Sequence, residues 1–209
     1  MNINLLDSRG ILLDMLEKRG YNIDKYRNYS INEIRLMKDN DMLDMILEKP
    51  TGMKCYVKYH THKKLKSTDL RKAVLLHYKM DADDEGDLTE HDELIIICND
   101  DNVIISKKYG NFMSKLENYY TKNFFVQIFN IDSLLFDITK HNLVPEHIIL
   151  TEDEKQDLLK HFNIDEDKLP RISRYDPVAK YLGMRPTQVC KIVRNSYTSG
   201  EATYFRICY

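Results

Sequence analysis

Tryptophan is absent from these 209 residues, and cysteine, proline and glycine are sparse, at four, five and seven. Cys55, Cys98, Cys190 and Cys208 stand far apart and form no CxxC pair. That argues against a zinc ribbon or a disulfide framework, and for a reducing compartment, cytosol or nucleus. No stretch approaches the roughly 18 apolar residues of a membrane span. Met1 to Arg9 lacks the basic start and apolar run of a signal peptide. Charge of one sign is lacking too: the formal net charge is -2, which excludes a protein that coats nucleic acid by bulk charge, though a local basic patch remains open. There is no glycine-rich phosphate loop, no GxSxG elbow, no HExxH and no cysteine paired locally with a histidine, so the common catalytic signatures are missing. No cofactor, metal, membrane or small-molecule ligand is expected.

What is present is the balance of a globular protein, with 43% hydrophobic and 31% charged residues. The length suits one large domain or two small ones. Leu5, Leu6, Leu12, Leu13 and Leu16 have helical spacing and close at Gly20. Ser30 and Glu33 form a capping-box pattern, and Ile34, Met37, Met45 and Ile46 are expected to give the helix that follows its apolar stripe. Lys54 to Tyr59 alternates as a half-buried strand, Thr68 to Tyr78 reads as helix, and the β-branched run Leu94 to Cys98 as a buried central strand. A helix around Asn111 to Tyr120 and a strand at Phe124 to Phe129 complete an α/β domain ending near His141.

The last third is punctuated more sharply. Ile148 to Leu150 is a short strand, and Thr151 with Glu154 forms a second capping box for a helix whose apolar face is Leu158, Leu159 and Phe162. Asp176-Pro177 places a capping carboxylate before a proline suited to the first helical position, and Gly183 stops that short helix. Gln188 to Arg194 and Ala202 to Cys208 alternate and read as a hairpin around a loop from Asn195 to Glu201.

Two fragments hint at metal chemistry. Asp81, Asp83, Glu85 and Asp92, with Gly86, echo a calcium loop, but Glu85 and the short reach of Asp92 depart from it, and such runs are more often solvated. His60 and His62 could share a metal on a strand, but no third ligand is evident, so surface histidines are the better reading. Arg171, Arg174, Lys180, Arg185, Lys191, Arg194 and Arg206 make the C-terminal third basic, suited to phosphate or carboxylate, yet Asp165, Glu166, Asp167, Asp176 and Glu201 partly cancel that field. Residue chemistry alone reaches a small two-domain binding module.

The same third carries a family resemblance. His141-Asn-Leu-Val-Pro-Glu-His147, Leu169-Pro-Arg-Ile172, Asp176-Pro-Val-Ala-Lys-Tyr-Leu-Gly183, Gln188-Val-Cys-Lys-Ile-Val-Arg194, and Ser196 with Thr198 and Gly200 follow one another in the order and spacing of a known domain. The run resembles the C-terminal assembly domain of the fifth subunit shared by eukaryotic nuclear RNA polymerases, a family whose archaeal polymerase homologue consists of that domain alone. Arg19-Gly20-Tyr21 and Leu94 to Cys98 resemble the opening and central strand of that family's jaw domain. The resemblance implies an α+β protein: an N-terminal α/β jaw-like domain over 1–141 and a small α+β assembly domain with a short mixed sheet over 142–209. It implies a non-catalytic structural subunit, anchored on the largest polymerase subunit, with the jaw near downstream DNA. The location implied is the nucleus, or a viral factory or virion if the gene is viral.

Residues expected at the polymerase interface are Leu143, Val144, Pro145, His147, Asp176, Pro177, Tyr181, Arg194 and Arg206. Pro145 and the residue before it are stiff enough to make a ledge, and Tyr and Arg suit interfaces. Pro145 and Asp176 each have an equally good fold-only reading. Three departures stand out: Thr187 where the family usually has glycine, Asn195 where proline is usual, and Phe205 in place of tyrosine. Where the jaw usually has Thr-Pro-Ser-Ala, the chain reads Asn99-Asp-Asp-Asn-Val103, whose acids would repel phosphates, so DNA contact is expected to be weak or indirect. This divergence, with an AT-rich style of composition, fits a large DNA virus or a fast-evolving eukaryote. Two other classes stay open: a free-standing regulator that binds a host polymerase through the same C-terminal domain, and a hydrolase or nuclease using the Asp81 to Asp92 loop.

Overall fold

A computed structural model describes residues 2–61, 64–78, 88–89, 91–99, 110–111, 115, 124–196 and 200–209. The chain divides into two compact units, Met1–Phe136 and Asp137–Tyr209.

In the first unit, helix α1 (Asn2–Lys18) ends at Gly20, whose φ of 89° needs a residue without Cβ. Helix α2 (Ile31–Asp39) starts at the expected capping box, Ser30 with Glu33. Its expected stripe is corrected: Met45 and Ile46 belong to strand β1 (Met45–Glu48), not to the helix. Asn40 caps α2 and Asp41 takes a left-handed φ of 54°, a conformation Asn and Asp tolerate better than most, so the helix stops there.

Strands β2 (Lys54–His60), β3 (Glu93–Cys98) and β4 (Phe125–Asn130) follow, with helix α3 (Ser67–His77) between β2 and β3. The sheet order is β1-β2-β3-β4, antiparallel at β1 and parallel thereafter. Every residue of β3 is buried, as the unbroken apolar run required, because helices cover both of its faces. On one face Leu94, Ile96 and Cys98 pack with Leu70 and Val74 of α3. On the other, Arg19, just past the end of α1, reaches the sheet: its Nη1 donates to Glu93 Oε2 at 2.9 Å and its Nη2 to Gln127 Oε1 at 2.9 Å. Arg19-Gly20-Tyr21 thus has a structural reason, a buried ion pair beside a glycine turn. The outer edge of β1 is closed by Tyr26, whose hydroxyl donates to the Ile46 carbonyl and accepts from the Ile46 amide. The helix expected around 111–120 lies almost wholly outside the described residues.

In the second unit, β5 (Glu146–Ile149), β7 (Val189–Ser196), β8 (Gly200–Cys208) and β6 (Arg171–Ile172) form a mixed sheet in that order. The hairpin strands run further than expected, to the pairing of Ser196 with Gly200. Helix α4 (Glu152–Phe162) carries the Thr151–Glu154 capping box and packs Leu158 and Leu159 toward Val189 and Ile207 on one face of the sheet. Phe162, expected on that apolar face, is exposed. Its ring centroid lies 6.2 Å from that of Phe205. Helix α5 (Pro177–Leu182) lies over the opposite face with Ile172, Met184, Cys190 and Ile192. The molecule is therefore α+β in both sheets, and among the described residues no helix is long and apolar enough to cross a membrane.

Candidate interface on the C-terminal sheet

Strand register decides which of the expected residues share a surface. Directly opposed residues in an antiparallel pair point to the same side. His147 of β5 opposes Ile192 of β7, which opposes Tyr204 of β8. One step along the strands, Ile149, Cys190 and Arg206 form a second row; on the other side Arg194 opposes Ala202. His147, Arg194, Tyr204 and Arg206 therefore lie on one face, the face that α5 partly covers. Cys190 and Ile192 are buried there, whereas Arg194 and Arg206 are exposed and His147 is half-buried.

The ledge before β5 is built locally. The Val144 amide donates to the His141 carbonyl at 2.9 Å, and the Leu143 amide meets His141 Nδ1 at 3.2 Å. His147 Nδ1 lies 2.7 Å from the Pro145 carbonyl. A tight turn held by its own groups leaves Leu143 85% exposed, more than any other large apolar side chain described. Ile148 nearby is also exposed. Val144 and Pro145 are half-buried.

Asp176 and Pro177 act together at the start of α5. Asp176 Oδ1 accepts from the amides of Val178 and Ala179 at 2.9 and 3.2 Å, and Pro177 occupies the first turn. That carboxylate is engaged with the fold, which limits what it can offer a partner. Tyr181 must be corrected: it is 4% exposed, because α5 turns this position inward, so it does not stand on the surface. Pro177 is exposed. Sequence reasoning missed Tyr204, which is 52% exposed. Its signal was its place two residues before Arg206 on the same alternating strand.

The basic set splits by position. Lys180 is buried, Arg171 stacks near Tyr209 and Arg174 over Tyr175. Arg194 and Arg206, the two arginines expected at the interface, stand on the face described above. Thr187 has a left-handed φ of 72°, the geometry that a glycine would take without strain.

The metal hints find little support. Residues 81–87 lie outside the described residues, but Asp92 is described and buried. Its Oδ1 accepts from the Lys54 amide at 2.6 Å, and its Oδ2 from the Thr89 amide and hydroxyl at 2.7 and 2.8 Å. Both oxygens are thus spent on loop closure. His60 Nε2 lies 4.0 Å from Asp69 Oδ2, and His62 is outside the described residues. Among the described residues no group of three or more His, Cys, Asp or Glu could hold a metal ion. All four cysteines are free and buried. Burial pushes the Cys190 thiol up and the Cys208 thiol up to about 11, away from nucleophilic use.

The C-terminal unit matches known proteins. A family model described as RNA polymerase Rpb5, C-terminal domain, matches residues 136–208. A Dictyostelium discoideum protein named DNA-directed RNA polymerases I, II, and III subunit rpabc1 is 30% identical over 204 residues, covering 98% of this chain and 96% of that protein. Proteins named DNA-directed RNA polymerases I, II, and III subunit RPABC1 from Caenorhabditis briggsae and Caenorhabditis elegans are each 46% identical over 74 residues, or 35% of either chain. With the nearly full-length match to the Dictyostelium protein, the chain belongs to the Rpb5 family of RNA polymerase subunits.

Proposed function

We propose that this chain is a non-catalytic structural subunit of a multisubunit DNA-dependent RNA polymerase, docked on the largest subunit through the exposed face of its C-terminal sheet. The observation that carries this reading is the grouping of His147, Arg194, Tyr204 and Arg206 on one face by strand register, beside the Leu143 ledge. Exposed arginine, tyrosine and leucine side chains are among those from which interface anchors are drawn. Asp176, Pro177 and the His141–Pro145 turn preorganise that face, so less ordering entropy is lost on docking. In this reading 142–209 is the assembly domain and 1–141 the jaw, near downstream DNA but with weak direct contact, in the nucleus. The free-standing regulator is not favoured, because the relatives carry the names of polymerase subunits.

The test is a native pull-down of the tagged chain from its source cells with mass spectrometry of its companions. Recovery of the two largest polymerase subunits in equal stoichiometry is expected, and the chain alone would refute the proposal. Arg194→Glu is expected to lower that recovery at an unchanged melting temperature.

A further inference from the structure

Helix α4 covers only part of its side of the C-terminal sheet. Strand β7 runs for 8 residues, about 26 Å at ~3.3 Å per residue, whereas one helix covers a band only about 10 Å wide. That band is the row Leu150, Val189 and Ile207, on which Leu158 and Leu159 pack. Further rows on the same side run on toward the hairpin loop. The first is Ile148, Lys191 and Phe205, and the second is Glu146, Val193 and Thr203. Glu201, opposite Asn195, begins a third. Ile148 is 43% exposed; Glu146, Thr203 and Glu201 are exposed, and Val193 and Phe205 half-buried. Isoleucine, valine and phenylalanine on one side of a sheet are the residues that ordinarily pack against a second layer.

The flank of α4 makes the end wall of this open floor. Glu154, Leu158 and Phe162 recur every fourth residue, so they stand one above another on the helix. Phe162 is 52% exposed, and its ring centroid lies 6.2 Å from that of Phe205 on the floor. Thr151, and after it Lys191, hold the Glu154 carboxyl below its ordinary value, so Lys191 stands at the foot of the same flank. Floor and wall form a corner with an apolar lining of Ile148, Val193, Phe205, Leu158 and Phe162. Its carboxylates are Glu146, Glu154 and Glu201, set against one lysine, Lys191. His161, edge-on to Phe162, is the remaining titratable group there.

These dimensions and charges select an occupant. The Lys191 and Val193 rows lie about 7 and 13 Å along the strands from the Val189 row. They bracket the about 8–10 Å at which one helix packs beside another. A second helix laid against α4 therefore rests on both rows. Lysine or arginine along its flanks would complement the surplus of carboxylates. A second copy of this chain would bring the same carboxylates to the contact, which like-charge repulsion disfavours.

We propose that this corner is a docking site for an amphipathic α-helix of a partner protein, apolar toward Phe162, Val193 and Ile148 and basic along its flanks. It lies on the side of the sheet opposite to Arg194 and Arg206. The proposal therefore does not rest on their assignment to the polymerase interface, and the two sides can be occupied at once.

The test uses the isotope-labelled full chain and a synthetic helical peptide of about 18 residues. The peptide carries leucine at i, i+3, i+4 and i+7, with lysine beside them. Controls are the same peptide with glutamate for lysine and a scrambled peptide of equal composition. Saturable NMR shifts of the Ile148 and Val193 methyl signals are expected with the ordered lysine peptide alone. Phe162→Ala alters an exposed side chain and is expected to weaken binding at least about fivefold. Glu201→Lys is expected to weaken it about two- to fivefold, and added salt to weaken it in the native chain. Arg194→Glu, on the other side, is expected to leave the affinity within about twofold. No saturable shift, equal affinity for the scrambled peptide, or shifts centred on Arg194 would overturn the proposal. So would the same methyl shifts arising with protein concentration alone, which would make a second copy the occupant.

Discussion

The buried pair between Arg19 and Glu93 offers the sharpest energetic test of the first unit. Both side chains are 4% exposed, and the bond is 2.9 Å long. Arg19 also holds Gln127 at 2.9 Å, so one guanidinium links the turn after α1 to β3 and β4. Arg19→Met would leave the Glu93 carboxylate buried without its counter-ion. Breaking one side of such a pair costs about 3–5 kcal/mol. With a melting entropy of about 2.1 cal/mol/K per residue, a unit running from Met1 to Phe136 has about 0.29 kcal/mol/K, so the melting temperature should fall by about 10–17 °C. The double variant Arg19→Met/Glu93→Leu removes both charges, and exchange of a whole buried pair for apolar groups is often nearly neutral. It should recover more than half of the loss. Differential scanning calorimetry of the three variants gives the cycle directly. A fall below about 3 °C for Arg19→Met, or a double variant whose loss equals the sum of the singles, would refute the reasoning.

Thr187 holds a left-handed backbone that costs a non-glycine residue about 1–3 kcal/mol, partly offset by the flexibility glycine gives the unfolded chain. Thr187→Gly should therefore stabilise the second unit by about 1 kcal/mol and raise its melting temperature by about 4–8 °C, with Thr187→Ala gaining less. Tyr26→Phe removes the hydroxyl that closes the β1 edge, and should increase concentration-dependent association seen by light scattering. The Thr151 amide and hydroxyl hold the Glu154 carboxyl below its ordinary value. A folded value below the unfolded one means that the capping contribution is present at neutral pH and is lost as pH falls through the folded value. In an NMR titration Glu154 should titrate below the ordinary glutamate value of about 4.3, and in Thr151→Ala it should return toward it.

Much of the fold was legible because its signals are local. Both capping boxes, the Asp176-Pro177 start, the Gly20 and Gly183 stops and the uniform burial of Leu94 to Cys98 follow from residue types at fixed spacing. The α2 stripe failed for a local reason too: Asn40-Asp41 breaks the helix before Met45, yet apolar spacing alone carries across a two-residue turn. Tyr181 failed for a different reason. Composition says that tyrosine suits interfaces, but only the packing of α5 decides whether that side chain faces out or in. The burial of Arg9 within α1, at 2% exposure, was invisible altogether, since a charge in an amphipathic helix reads as solvated until the neighbours that bury it are known.

The same contrast explains how the C-terminal surface comes to be assembled. His147, Arg194 and Arg206 are far apart in sequence, and no spacing rule joins them. What joins them is the register of β5 on β7 and of β7 on β8, fixed by which residues the two helices bury. Ile149, Cys190 and Ile192 belong under α5, while Val189 and Ile207 belong with α4. A slip of one residue would exchange these sets and carry the arginines to the other face. The apolar pattern that makes the core therefore also aims the exposed side chains. A substitution such as Ile192→Asp should scatter the interface by disturbing register, with a loss of stability that Arg194→Glu does not share. Comparing the two by calorimetry and by recovery of the largest subunit separates residues that touch the partner from those that place them.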